Sequence, residues 1–500
     1  MNAFQRNEEI KSLQSQAEAI GKSNLDSVLL LLNGAEKLAT ADELVAVESE
    51  SEWVKAKTYY SLGDYEKSQR FALSAIEKAT IVTNDTVLAK SYNLMGVLLK
   101  RAYKLDQAMA AYRKSLGYKE RLSDSLGVST TLQNLGGLFR TLGLLDSSYI
   151  YYQRSIEIKR ALKDTVALAS SIGGLGTYYY DIGQYKMAVD LFRQAYDVNV
   201  ALDDKSKIAL YAMNMGSGYR GLGYYELSLR NYLQSLTLYR SLGLRKEEGS
   251  ALFNIASLYK LLKKFDVALE YYLKSLKIYE ETNRDKDKAD IYLSMGDLYL
   301  LEKRATEALE FFSQAEEIYT KNNELRDLAL VRHGQGKAYA RMEDYGKSKA
   351  LYQESLLGLD QQNDKDEIGN VYSSLAVTNY KGKEYKEALK NYEVALNISQ
   401  ELKLPSLFKG ALIGFAEIYQ ATGNSRKAYD YRLQYDVMKD SLDNVEKSRQ
   451  IAELREIYES EKKDEQITQL ELENELVSAK SQANAALADQ QRTEKLIFIT

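Results

Sequence analysis

Residues 214–239 read NMGSGYRGLGYYELSLRNYLQSLTLY, and the organisation of the chain follows from them. Apolar side chains recur three and four positions apart on both sides of a short turn that carries glycine. This is the spacing of two amphipathic helices joined as a hairpin. Gly216 and Ser228 are small enough to let the two helices approach closely. Tyr219 and Tyr232, three and four positions further on, fill the space beside that approach.

Outward from this stretch the same positions return every forty residues. The Gly216 column runs Ala56, Gly96, Gly136, Gly176, Gly216, Ala256, Gly296, Gly336, Ala376 and Ala416. The Ser228 column runs Ser68, Ala108, Ser148, Ala188, Ser228, Ala268, Ala308, Ser348, Ala388 and Ala428. A third column is aromatic: Tyr112, Tyr152, Phe192, Tyr232, Tyr272, Phe312, Tyr352 and Tyr392. A fourth holds Tyr59, Phe139, Tyr179, Tyr219, Tyr259, Tyr299, Tyr339 and Tyr419. Asn84, Asp124, Asp164, Asp204 and Asp364 stand where new hairpins begin, as N-caps. One hairpin cannot bury its apolar face alone, so neighbours stack and the stack becomes a superhelix.

Composition agrees with an all-α chain. There is one proline among 500 residues, and hydrophobic residues make up 45%. The net charge of −4 argues against a general nucleic-acid binder. Zero cysteines exclude disulfides and thiolate metal sites, and a single histidine, His333, removes nearly every imidazole scheme for catalysis or zinc binding. The glycine cluster at Gly173–Gly176 lies within a repeat helix rather than after a strand, so it does not read as a phosphate loop. No catalytic constellation, cofactor motif or metal motif emerges from these residues.

NLGGLF, GLGTYY and SMGDLY, paired with DYEKS, QYKMA and EYKEA, resemble the tetratricopeptide repeat over roughly residues 49–448. The period is forty rather than thirty-four and the closing proline is missing, which is similar to the long-helix variety of kinesin light chains and many bacterial signalling proteins. The resemblance implies a right-handed superhelical solenoid of about ten helical hairpins. Residues 1–48 then form a degenerate N-terminal cap, 49–435 the solenoid, and 436–495 one long helix. Leu472, Leu476, Ala479, Ala483 and Ala486 give that helix a weak coiled-coil seam, while Ile451, Leu454 and Tyr458 belong to a different frame.

EKSRQIAELREIYESEKKDEQITQLELENEL, residues 446–476, looks like the juxtamembrane helix of Bacteroidetes-type signalling proteins. In that family repeats precede a membrane span and a histidine kinase or helix-turn-helix output. The resemblance implies a periplasmic sensor region, a homodimer through the C-terminal helix, and LIFIT at 496–500 as the start of a membrane anchor continuing past Thr500. The output kinase would lie outside these residues. The alternative is a soluble cytoplasmic scaffold.

In tetratricopeptide repeats the first helices line a concave groove. Four residues after the small column come Lys100, Arg140, Tyr180, Arg220 and Lys260, and His333, Lys337 and Arg341 follow one another at four-residue spacing on one helix. As a groove lining these residues suit a peptide or protein ligand of anionic character. The competing account is a solvated surface.

Overall fold

The computed structural model describes residues 3–41, 43–361 and 364–446, together with 448–450, 452–454 and 457. Among them every regular element is a helix. A first pair, α1 (Ala3–Ile20) and α2 (Leu25–Leu38), packs together and against the start of the repeats. The first helices of the hairpins are α3 (Leu44–Leu62), α5 (Asp85–Arg101), α7 (Ser125–Thr141), α9 (Thr165–Asp181) and α11 (Lys205–Leu222). They continue as α13 (Arg245–Leu261), α15 (Asp285–Leu301), α17 (Leu325–Arg341), α19 (Lys365–Lys381) and α21 (Pro405–Ala421). The second helices are α4 (Tyr65–Ile81), α6 (Leu105–Arg121), α8 (Leu145–Ala161), α10 (Tyr185–Ala201) and α12 (Tyr225–Ser241). After these come α14 (Phe265–Glu281), α16 (Ala305–Lys321), α18 (Tyr345–Gln361) and α20 (Tyr385–Glu401). Residues 425–446 form α22. The fold is the expected all-α solenoid of the tetratricopeptide type.

The hairpin turns share one geometry. At every twentieth residue from Gly63 to Glu343, and again at Lys383, Lys403 and Gly423, the backbone is left-handed. Each such residue closes the helix before it: the Lys104 N–H donates to the Leu99 carbonyl at 2.9 Å and that of Tyr103 to Lys100 at 3.0 Å. Most of these residues are not glycine, so the fold tolerates a local cost at turn after turn. The expected N-caps are in place. Asn84, Asp124, Asp164, Asp204 and Asp364 each accept from the backbone N–H three residues on.

Within a hairpin the four columns interlock. A Cβ placed on Gly96 would lie 2.5 Å from the Tyr112 ring, and one on Gly296 would lie 2.5 Å from Phe312. The aromatic of the second helix thus occupies the volume that a first-helix side chain would need. The Ser148 hydroxyl donates to the Gly136 carbonyl at 2.9 Å, and Ser68 to Ala56 at 2.8 Å. The fourth column stacks flat on the second helix: Tyr59 on Phe71 at 5.3 Å, Phe139 on Tyr151 at 4.9 Å, Tyr299 on Phe311 at 5.3 Å.

The chain divides into two compact units, Met1–Gly218 and Tyr219–Thr500. In each, first helices pack against the first helices of the next hairpin, as α5 does with α7 and α15 with α17. Second helices make no comparable contact with one another among the described residues, so first helices line the inner side of each unit. In the first unit α1 and α2 bury Ile10, Ala17, Val28, Leu32 and Ala35 while leaving Phe4 and Leu30 exposed. Among the described residues no helix is long and apolar enough to cross a membrane. The seam residues Leu472, Leu476, Ala479, Ala483 and Ala486, the flanking Ile451 and Tyr458, and the 496–500 segment lie outside the described residues; Leu454 is exposed.

Gly296→Val is expected to cost about 2–3 kcal/mol by overpacking against Phe312, with part of the loss recovered in the Gly296→Val, Phe312→Leu double variant. Thr83, a β-branched residue held at φ 52°, is the opposite case: Thr83→Gly should raise stability by about 0.5–1 kcal/mol. Both are read from thermal or denaturant unfolding.

Candidate functional site

The packing columns consume the small and aromatic positions of each first helix and leave the neighbouring inner-face positions free to vary. In the second unit those positions assemble a cleft of about 530 Å³ from α13, α15, α17, α18 and α19. Four cations line it: Lys260 of α13, Lys337 and Arg341 one turn apart on α17, and Lys381 at the end of α19. Among the described residues Asp297 of α15 is its one carboxylate, 3.9 Å from the Lys260 ammonium. The Tyr352 ring, Ser374 and Thr378 supply hydroxyls, and Leu300, Leu301, Ala340 and Val377 the apolar wall. Cations thus exceed carboxylates by three in a partly enclosed space, where a charge-assisted hydrogen bond is stronger than on open surface.

His333 stands behind this cleft rather than in it. It is 3% exposed, its ring meets Tyr352 edge-on at 5.7 Å, and Nε2 lies 2.9 Å from the Ser374 hydroxyl. Ser374 donates its own proton to the Asn370 carbonyl at 3.0 Å, so the histidine is the donor and carries hydrogen on Nε2. Burial, with Lys337 close by, pushes the imidazole well below its ordinary range and keeps it neutral. Burial also raises the Tyr352 phenol, an effect eased by the neighbouring Ser348, Thr378 and Ser374 hydroxyls.

A second cleft, of about 680 Å³, adjoins the first through Lys260 and Leu301. Arg220, Ser257, Leu261, Lys263 and Phe265 complete it, giving an apolar floor with a cationic rim.

The sequence-derived candidates therefore fall into three groups. Lys260, Lys337 and Arg341 meet in one cleft, and Arg220 and Lys260 share the other. Lys100, Arg140 and Tyr180 belong to the first unit. There Arg140 pairs with Asp181 at 2.7 Å, and the Tyr180 ring packs edge-on against Tyr185 at 5.4 Å. Burial and the adjacent Arg140 guanidinium lower Lys100 to about 8. Lys381, Ser374, Thr378 and Asp297 escaped the sequence reading. Lys381 stands one forty-residue step beyond Arg341 and Asp297 one step before Lys337, whereas Ser374 and Thr378 belong to other columns, and the stacking of successive hairpins brings all four together.

The family model for the tetratricopeptide repeat matches residues 127–199, 207–281, 249–321, 287–361 and 327–401. No curated protein matches the chain. Among solved structures, the apo form of the quorum sensor NprR from B. thuringiensis is similar at 15% identity and TM-score 0.54, over 71% of this chain and 98% of that one. A Rap protein complexed with competence and sporulation factor is similar at 15% identity and TM-score 0.52, over 73% and 99%. A STAND protein with a tetratricopeptide repeat sensor, from Pyrococcus horikoshii, reaches 0.51 at 15% identity, over 84% and 67%. At such identities the likeness is one of fold.

A histidine held neutral by the fold contributes stability that is present above its unfolded value near 6.5 and is lost as pH falls below it. The native protein is expected to lose, from this group, about 1.4 kcal/mol per pH unit below pH 6 relative to His333→Gln. Denaturant unfolding of both proteins between pH 7.5 and 5 checks this.

Proposed function

The chain belongs to the tetratricopeptide repeat family, and from that premise we propose that it is a peptide- or protein-binding module whose ligand presents acidic groups to the cleft of the second unit. The observation that carries this reading is the convergence of Lys260, Lys337, Arg341 and Lys381 on one concavity that holds a single carboxylate. Among the described residues no carboxylate lies within ion-pair distance of Lys337, Arg341 or Lys381, and only Lys337 has an acidic neighbour near enough to act on, Glu367, so Arg341 and Lys381 above all offer their charge to a ligand. The adjoining apolar cleft would take a hydrophobic side chain of the same ligand. The likeness to a quorum sensor and to a Rap protein complexed with competence and sporulation factor supports a ligand-responsive role.

The finer reading is a sensor. Binding on the repeats is relayed through a helix at residues 436–495 to an output beyond Thr500, a histidine kinase in the family that residues 446–476 resemble. The repeats then lie in the periplasm, the helix pairs two chains, and a membrane anchor follows. A coding sequence that runs on into an apolar span and a kinase supports this relay. A stop codon after Thr500 overturns it and leaves a soluble scaffold.

Ligand preference is tested with fluorescein-labelled hexaglutamate by anisotropy, with hexaglutamine as control. The Arg341→Glu, Lys381→Glu double variant should weaken hexaglutamate binding at least tenfold, about 1.4 kcal/mol, whereas Lys390→Glu on a second helix should not. Equal loss in both variants, or equal binding of hexaglutamine, would overturn the acidic-ligand reading.

A further inference from the structure

α22 starts under α21, where Tyr431 stacks on Phe415 at 4.8 Å and on Tyr419 at 5.7 Å. At ~1.5 Å per residue, residues 425–446 carry the helix ~33 Å. The described residues that follow come down on the turn before α12, within the same unit. The Glu453 carboxylate accepts from the backbone N–H of Glu226 at 2.6 Å and of Leu227 at 3.1 Å, across 227 and 226 residues of chain. The Arg449 side chain lies over Gly223, its Cδ 3.1 Å from where a Cβ would stand. Ser441, Asn444, Val445, Ser448 and Ala452 form a shallow hollow with Tyr224 beside this contact.

α12 lacks what this contact provides. Its N-cap residue is Tyr224, whose side chain makes no capping bond, a lack it shares with α6, α8, α10, α14, α16 and α20. Two of the orphan donors at the α12 N-terminus are satisfied from outside by Glu453, and the negative charge suits that end of the helix dipole. Gly223 at φ 80° spares this turn the cost that a side chain carries at most of the others, and it leaves room for the Arg449 side chain. A surface cap of this kind is weak enough to open.

We propose that the C-terminal helix is a releasable, autoinhibitory strap, anchored by the aromatic stack on α21 and clasped by Glu453 and Arg449 to the turn before α12. Arg220 belongs to that turn, its carbonyl accepting from the Gly223 N–H at 3.0 Å, and it lines the apolar cleft together with Lys260. With the strap closed, the Glu453 carboxylate stands at the turn whose cation faces the cleft. An anionic ligand and the closed strap therefore disfavour each other, and by linkage the ligand opens the strap as much as the strap weakens the ligand. This coupling rests on the acidic-ligand reading above; the clasp itself does not.

The absence of cysteine allows spin labels to be placed cleanly in the full chain. With labels at Leu233→Cys and Gln450→Cys, double electron–electron resonance should give one narrow distance in the parent. Adding Glu453→Gln or Arg449→Ala should broaden and lengthen it, with helical content unchanged, while Asp443→Asn should leave it as it was. A broad distribution in the parent, or no response to either clasp variant, overturns the strap. The coupling is read from labelled hexaglutamate: Glu453→Gln and Arg449→Ala should both tighten binding threefold to tenfold. Arg449→Ala discriminates, because loss of a cation by charge alone would weaken an anionic probe. Weaker binding there with a responsive distance overturns autoinhibition. Absence of binding in every protein counts against the acidic-ligand reading, and autoinhibition falls with it, while the distance measurement still decides the clasp.

Discussion

The seating of a second-helix aromatic ring on a first-helix residue with little or no side chain is the contact on which the rest of this protein depends. Tyr112 on Gly96, Tyr152 on Gly136, Phe192 on Gly176, Phe312 on Gly296 and Tyr352 on Gly336 are one contact repeated. It sets how closely two helices of a hairpin approach, and the serine-to-carbonyl bonds from the neighbouring small column hold their axial register. Once the hairpin is set, its remaining apolar face has to be covered by the next hairpin. The left-handed turns at twenty-residue spacing keep every helix near seventeen residues, so each hairpin offers its successor the same surface.

Variation is possible where that contact is not. Position 337 carries lysine where other repeats carry Val97, Thr177, Ser257 or Val377, because the site faces the inner cleft. The same freedom places Lys381 and Arg341 on successive first helices. Chemistry here is a departure from the repeat at positions that packing does not claim. Polar groups that packing does enclose are handled differently: Lys159, 2% exposed, donates to Gln133 at 2.6 Å and Ser171 at 2.8 Å, and burial draws its ammonium down to about 8. Such groups join neighbouring hairpins through hydrogen bonds and leave no charge for a ligand. His333 belongs with them, as a neutral donor that fixes Ser374 at the back of the cleft.

The C-terminal helix shows how a non-repeating element gains a place on a repeating one. Stacked aromatics extend the fourth column past α21 through Tyr419 and Tyr431, so the helix begins as a continuation of the solenoid packing. Its far end is held by polar contacts to a turn that lacks its own cap. Strong packing at one end and exposed polar contacts at the other are the conditions under which one end moves and the other stays.

What the sequence determined by itself was periodic: helix class, the forty-residue unit, its small and aromatic columns, and the aspartate and asparagine caps. Each of these is dictated by contacts within a hairpin or between adjacent ones, so its signal recurs in register and is legible in one chain. The basic row was legible as spacing, but its meaning was not, because a column at forty-residue spacing does not tell whether a cation meets a ligand, a carboxylate or the core. The tertiary structure separated Arg140, paired with Asp181, from Lys337 and Arg341, which share a cleft, and it buried His333. It alone joined Ser374 and Thr378 to that cleft and Glu453 to α12. These contacts are single events between distant residues, fixed by how hairpins stack, and a pattern that occurs once leaves no period to read.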